Sequence, residues 1–107
     1  VLIIVAGFGQ RWSAAINAWA TVQRDSGLHR SPNAGLPETA IAAVLEISLG
    51  GVRHYAEGAV NASILNASGR EALMIADIST ALSLYRRTCF VLLAFVVLLW
   101  VLVLVFQ

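Results

Sequence analysis

Lysine is absent from this chain of 107 residues, and charged residues make up only 12% of it. No lysine nucleophile, Schiff base or phosphate-loop lysine is therefore available. The seven basic residues, all arginines, nearly balance the six acidic ones and leave a net charge of +1, so nothing electrostatic favours nucleic acid. Cys89 is the single cysteine, which excludes an intrachain disulfide. Soluble domains are about one quarter charged, so a composition that is 59% hydrophobic indicates a membrane protein.

Familiar catalytic motifs are also absent. The sequence contains no phosphate-loop motif, no HExxH, no CxxC and no GxSxG. His29 and His54 are not paired at a metal-ligand spacing, and a solvated or structural role is the better reading of each. No metal site is predicted from ligand spacing alone.

The C-terminal end is a long apolar run. Residues 89–106 form 18 consecutive apolar positions, which as a helix extend roughly 27 Å, close to the hydrocarbon thickness of a bilayer. We predict a C-terminal transmembrane helix over residues 88–107. Residues 1–9 are also apolar but too short to span, so we predict that they are the end of a transmembrane helix and that the chain is the C-terminal piece of a longer protein.

Arginines flank both apolar ends. Arg86 and Arg87 precede the C-terminal run, and Arg11 follows the N-terminal one. Because arginines next to spans favour the cytoplasmic side, residues 10–87 are predicted to be cytoplasmic. The expected fold is all-α: a multi-pass protein of the cell membrane with a cytoplasmic helical segment between membrane segments.

Helical periodicity and helix-ending residues divide the middle segment. Three helices are predicted, over residues 10–24, 37–49 and 70–87, the last running directly into the membrane helix. In the first helix the apolar residues that recur at helical spacing are Trp12, Ile16, Trp19 and Ala20. The two tryptophans suit either ordinary packing or anchoring at a membrane interface. The small residues of the second helix favour close helix packing; they are Ala40, Ala42 and Ala43. Gly50 and Gly51 are expected to end that helix, and residues 52–69 show no clear period.

An ordered polar stretch, residues 31–38, interrupts these apolar segments. It has the sequence SPNAGLPE, within a loop predicted over residues 25–36, and Pro37 and Glu38 suit the first turn of a helix. Charged and polar side chains accumulate around it, namely Arg24, Asp25, His29, Arg30, Ser31, Asn33 and Glu38. Arginines bind phosphate or carboxylate, and two carboxylates can bind Mg²⁺, so this stretch is a candidate site. A solvated turn with local ion pairs is the alternative.

The order and spacing of these residues resemble a known family. The matching elements are Arg24-Asp25, Ser31-Pro32-Asn33-Ala34-Gly35, Pro37-Glu38, Leu49-Gly50-Gly51 and Tyr55. Together they resemble the C-terminal half of the CobD/CbiB family, integral-membrane proteins of cobalamin biosynthesis that are also called adenosylcobinamide-phosphate synthases. Leu36 stands where the family often has tryptophan, and the Lys-Pro element that follows the family's tyrosine is missing.

The resemblance implies a ligation. The family joins aminopropanol, or its phosphate, to a propionate side chain of adenosylcobyric acid as an amide, and activation of a carboxylate makes ATP and Mg²⁺ plausible cofactors. Asp25 and Glu38 are then the candidate catalytic residues, for binding metal or taking a proton from the amine. The candidate substrate-binding residues are Arg24, Arg30, Ser31, Asn33, Gly35, Gly50, Gly51 and Tyr55. The expected partners are the corrinoid, the aminopropanol compound and the lipid bilayer.

Two alternatives remain open. The chain also fits a non-catalytic membrane protein of the same superfamily, resembling the AmpE-type sensors of β-lactamase regulation, although the intact SPNAG and LGG elements argue against it. A plain membrane scaffold with a purely structural loop is the second alternative.

Overall fold

The computed structural model describes Ile3 and residues 12–107. Within residues 12–107, two helices come first, then a β-hairpin and finally one long helix. In chain order the elements are α1 (Trp12–Asp25), a 3₁₀ turn (Ser26–Leu28), α2 (Pro32–Val44), β1 (Leu49–Tyr55), β2 (Gly58–Leu65) and α3 (Ile75–Val105). The predicted membrane segment over residues 1–9 lies, apart from Ile3, outside the described residues.

The small core lies between α1 and α2. The buried residues of α1 include Ala15, Ala18 and Val22, and Ala42 of α2 is fully buried. The alanines predicted to permit close helix packing thus lie at or beside this core. The larger side chains of α1 point outward instead, with Trp12, Ile16 and Trp19 between 57% and 67% exposed. The face of α1 that contacts α2 thus consists of small residues, and packing or interfacial anchoring of the tryptophans stays a prediction.

Helix α2 begins earlier than predicted. The polar stretch 31–38 is not a loop but mainly the first part of α2, with Ser31 at the N-cap and Pro32 opening the helix. Ser31 has extended backbone angles, as expected for a residue before proline, and proline suits a first turn whose N–H groups have no partner within the helix. Pro37 lies inside the helix and has no N–H to donate to the carbonyl of Asn33, four residues earlier. Asn33 is exposed to solvent. The loop is therefore confined to residues 26–31.

Helix α2 also ends earlier than predicted, at Val44 rather than Leu49. Glu46 adopts a left-handed conformation with a φ of 55°, and its N–H donates to the carbonyl of Ala43, while the Ile47 N–H donates to Ala42. This is the Schellman arrangement, in which the backbone itself satisfies the last carbonyls. Gly50 and Gly51 do not end the helix.

A two-stranded antiparallel hairpin follows and corrects the all-α prediction. Tyr55 pairs with Gly58 beside the turn, and Leu49 pairs with Leu65 at the open end. The register shifts between Leu49 and Gly51, where β2 carries one more residue than β1. A parallel bridge between Ile47 and Arg70 ties the segment after α2 to the segment after β2.

The long helix α3 agrees with the predicted terminal helix. It runs without a break through 31 residues, although it starts at Ile75 rather than Arg70, and it is long and apolar enough to cross a membrane. Asp77 accepts the Met74 N–H at 2.7 Å and caps the first turn. It also accepts two hydrogen bonds from Arg70, at 2.6 and 3.1 Å. At about 46 Å the helix exceeds a bilayer core of about 30 Å, so several turns before the apolar run extend beyond it. Leu84, on those turns, packs against the Ala18–Val44 core.

Candidate functional site

A cleft of about 310 Å³ opens between the segment that enters α2 and the hairpin. One wall is charged and consists of His29, Arg30 and Glu38. Arg30 is exposed, and no ion pair engages it within residues 12–107. A guanidinium and a carboxylate on the same wall allow one small ligand to be bound through both an anionic and a cationic group.

The opposite wall is the hairpin. Alternate residues of the two strands face the cleft and give a largely apolar surface; they are Leu49, Tyr55, Val60, Ala62 and Leu65. Asn61 and Ser63 also border the cleft. Because one wall is apolar and the other charged, the cleft is suited to an amphipathic ligand.

The charged wall is held together by His29. Its Nδ1 accepts the backbone N–H of Ser31 at 2.9 Å and also lies 3.1 Å from the Ser31 carbonyl oxygen. Nε2 lies 3.2 Å from Oε2 of Glu38, within the distance of an ion pair. The side chains are 27% and 44% exposed, so both lie at the border between the cleft and solvent.

Two glycines make this geometry possible. A Cβ on Gly35 would collide with the Ser26 carbonyl and would lie 3.0 Å from the His29 Cβ, so glycine lets the preceding turn pack directly on α2. Gly50 has a φ of +111°, and a Cβ there would collide with the Ser63 carbonyl. A larger residue at either position would therefore move a cleft wall.

Arg24 and Asp25 lie outside the cleft. Asp25 is 6% exposed, and its two oxygens accept hydrogen bonds from Arg24 at 2.5 and 2.8 Å. Its Oδ2 also accepts the backbone N–H of Asn66 at 2.9 Å. The hydrogen bonds from Arg24 hold the pKa of Asp25 below its usual value; burial opposes this, and the Asn66 N–H adds to it. Arg24 borders a second groove, on the side of Asn66 and Gly69.

The structure thus separates the residues predicted to form one site. Four of them line the cleft: Arg30, Glu38, Gly50 and Tyr55. Ser31 and Asn33 are exposed at the start of α2, and Gly35 is buried beneath the turn. Gly51 lies in β1 with a φ of +94° and open space beside it. Their roles in binding or catalysis stay predictions.

The described residues do not fit a magnesium site by themselves. In residues 12–107 no group of three or more histidine, cysteine or acidic side chains is placed to hold a metal ion. The oxygens of Asp25 are already engaged by Arg24 and Asn66, so Glu38 is the carboxylate available to the cleft. One carboxylate alone is too few protein ligands to fix a magnesium ion in this cleft.

Two residues that were not predicted to act in catalysis or substrate binding prove structurally central. His29 fixes Glu38, as described above. Asn66, with a φ of 52°, uses its side-chain amide to donate to the carbonyls of Ala42 and Ile47 at 3.2 and 2.9 Å. Asn66 thereby joins the end of the hairpin to the end of α2 and to Asp25. The tolerance of asparagine for left-handed geometry was a weak signal in the sequence.

Comparison with known proteins gives a consistent family match. The family model for the CobD/Cbib protein matches residues 1–85. A cobalamin biosynthesis protein CobD of Sinorhizobium fredii is 40% identical over 91 residues, which cover 83% of this chain and 28% of that protein. The protein of the same name in Rhizobium meliloti is 39% identical over 90 residues, covering 82% and 28%. The one in Rhodobacter capsulatus is 44% identical over 70 residues, covering 65% and 22%.

The matched region is a minor part of these relatives, since the chain spans less than a third of their length. No solved structure matches this chain.

Proposed function

Because this chain belongs to the CobD/CbiB family, we propose that it serves cobalamin biosynthesis as a part of a membrane-bound ligase. The reaction proposed for the whole protein joins aminopropanol, or its phosphate, to adenosylcobyric acid through an amide bond. The observation that carries the proposal is the meeting of four family-motif residues at one cleft, together with Arg30; they are Glu38, Leu49, Gly50 and Tyr55.

The chemistry of the cleft supports a role in binding the small amine. At about 310 Å³ its volume is at the lower end for ligand pockets, which suits aminopropanol better than a corrinoid. In the proposal the corrinoid approaches the open side of the cleft. The apolar hairpin wall then contacts the hydrocarbon part of the bound compound.

Each charged residue has a distinct role in this proposal. Glu38 binds the ammonium group and can take its proton, since the neutral amine is the nucleophile in amide formation. Arg30, which no carboxylate of residues 12–107 engages, binds a carboxylate or phosphate. The geometry favours Glu38 over Asp25 as the catalytic carboxylate, because Asp25 is buried and its oxygens are already hydrogen-bonded.

ATP and Mg²⁺ remain part of the proposal for the whole protein, because a carboxylate needs activation before it reacts with an amine. Glu38 is the only carboxylate that the described residues bring to the cleft, so any further metal ligands must come from other parts of the protein.

The proposed setting is the membrane surface. The apolar run of α3 crosses the bilayer, and the turns that carry Leu84, Arg86 and Arg87 project from it on the cytoplasmic side. The α1–α2 unit packs on those turns, which keeps the cleft near the surface, where an amphipathic corrinoid concentrates.

Complementation tests the proposal. The full-length protein carrying Glu38→Gln or Arg30→Gln is produced in a strain that lacks the native protein and depends on its own cobalamin. We expect both variants to lose growth while protein levels stay near normal, and added cobinamide to restore growth, because the defect precedes cobinamide. Glu57→Gln is the matched control, since Glu57 is an exposed carboxylate of the hairpin turn that does not line the cleft.

Wild-type growth of both cleft variants would refute the site. Failure of cobinamide to restore growth would place the defect outside the proposed step. Full activity of all the cleft variants together with unchanged corrinoid binding would favour a sensor or scaffold of the same superfamily.

A further inference from the structure

We infer that His29 is a positioning residue, which holds the Glu38 carboxylate so that one of its oxygens stays directed at a cationic amine in the cleft. This inference rests on the proposed function, since the amine is one of its two reactants. It adds a residue that belongs to none of the matching family elements named above.

Both ring nitrogens of His29 have polar contacts. Nδ1 lies 2.9 Å from the backbone nitrogen of Ser31, whose N–H donates to it, and 3.1 Å from the Ser31 carbonyl oxygen. The other ring nitrogen, Nε2, lies 3.2 Å from Oε2 of Glu38. The imidazole is thus held between the turn before α2 and the Glu38 carboxylate.

The turn before α2 makes the pair of His29 and Glu38 rigid. Ser31 is the N-cap of α2 and accepts the Gly35 N–H at 2.9 Å, so the donor to His29 belongs to an ordered turn. Close packing of that turn on Gly35 brings the imidazole alongside α2, next to Glu38. With both ring nitrogens engaged, the imidazole is fixed and Glu38 loses rotational freedom.

The two oxygens of Glu38 differ in their partners. His29 engages Oε2, and no hydrogen bond or ion pair within residues 12–107 engages Oε1. An oxygen whose direction is fixed in this way, beside an apolar wall, binds a primary ammonium group better than a carboxylate that rotates freely, because less side-chain entropy is lost on binding. The ligand class is thus a small primary amine with a short hydrocarbon part.

The test is a double-mutant cycle on amine binding, with 1-amino-2-propanol as the probe and the full-length protein in detergent as the receptor. Isothermal titration is done for wild type, His29→Ala, Glu38→Gln and the double variant. We expect His29→Ala to weaken binding about tenfold, the size of one polar contact to a charged group. Once Glu38 is glutamine, the same histidine change should alter affinity by less than about twofold, because the two residues act as a unit.

Two further variants keep the test decisive. His29→Gln restores an N–H donor near the position of Nε2 and should recover most of the affinity, which a merely structural histidine would not explain. His54→Ala, a change on a histidine that does not line the cleft, should bind as wild type does. Melting temperatures of all variants show whether any change in affinity follows from unfolding.

Wild-type affinity in His29→Ala, or equal losses in the two backgrounds of the cycle, would overturn the inference. So would an absence of amine binding in the wild-type protein. The proposed function is judged separately by growth: essential Glu38 with dispensable His29 contradicts only the inference, whereas dispensable Glu38 contradicts the proposed site.

Discussion

Removing the Asp25 carboxylate should loosen the junction between α1 and the end of the hairpin without changing the cleft directly. Asp25 is 6% exposed and accepts the Asn66 N–H at 2.9 Å. In Asp25→Ala that buried N–H loses its partner, which costs about 1–3 kcal/mol of stability. The ion pair with Arg24 adds little, because Arg24 is 61% exposed and exposed pairs contribute about 0–1 kcal/mol.

Asp25→Asn is the matched variant. Its amide oxygen can still accept the Asn66 N–H, so the expected loss is about 1 kcal/mol or less. Hydrogen exchange by mass spectrometry, on the full-length protein in detergent, measures the loss of stability at this junction. If opening of the junction limits exchange, the peptide containing Asn66 should exchange about 5- to 150-fold faster in Asp25→Ala than in wild type, and much less so in Asp25→Asn. A peptide from the end of α3 serves as the internal control. Equal exchange in wild type and Asp25→Ala would refute the structural role assigned to this carboxylate.

Three shorter predictions concern pH, the glycines and the topology. The folded-state pKa of Asp25 is lowered, so its contribution to stability should be complete above the usual aspartate pKa of about 3.9 and lost as pH falls through the lower folded value. In that acidic range, hydrogen exchange of the Asn66 peptide should accelerate in wild type but not in Asp25→Asn. Gly50→Ala should lower the melting temperature more than Gly51→Ala, because both positions have positive φ but only a Cβ at Gly50 would also collide with the facing strand. Gly27→Ala should have a mild effect, and equal melting temperatures for all three variants would contradict this. A cysteine at Asn33, in a background without Cys89, should resist an impermeant reagent in intact cells and react after lysis, and labelling from outside would exclude the proposed topology.

The sequence predicted well those elements whose signal is strong and local. The apolar run from Cys89 onward required a long helix, and α3 has it. The start of α2 was misplaced because Pro32 and Pro37 both suit a first helical turn, and the choice depends on how the preceding turn packs against Gly35. The end of α2 was misplaced because Glu46, rather than a glycine, takes the left-handed position.

The hairpin could not be predicted from the signals that usually reveal one. Its turn contains neither Asn-Gly nor Asp-Gly, and the register shift at Gly50 breaks the alternation along the strands. The separation of the cleft from the buried Asp25 and its partners depended on tertiary contacts, which the sequence does not reveal. Asp25 and Glu38 are both acids close to one motif, and their roles differ only through their partners. Asp25 contacts Asn66, which is distant along the chain, and Glu38 contacts His29.

The most direct test of the central claim is product formation by the purified full-length protein in proteoliposomes. Adenosylcobyric acid is supplied with aminopropanol or its phosphate, ATP and Mg²⁺, and the amide product is quantified by mass spectrometry for wild type, Glu38→Gln and Glu57→Gln. We expect product from wild type and from Glu57→Gln, with a loss of at least about 100-fold in Glu38→Gln, as for a catalytic acid or base. Equal product from Glu38→Gln and wild type would contradict the claim that this cleft carries the ligation.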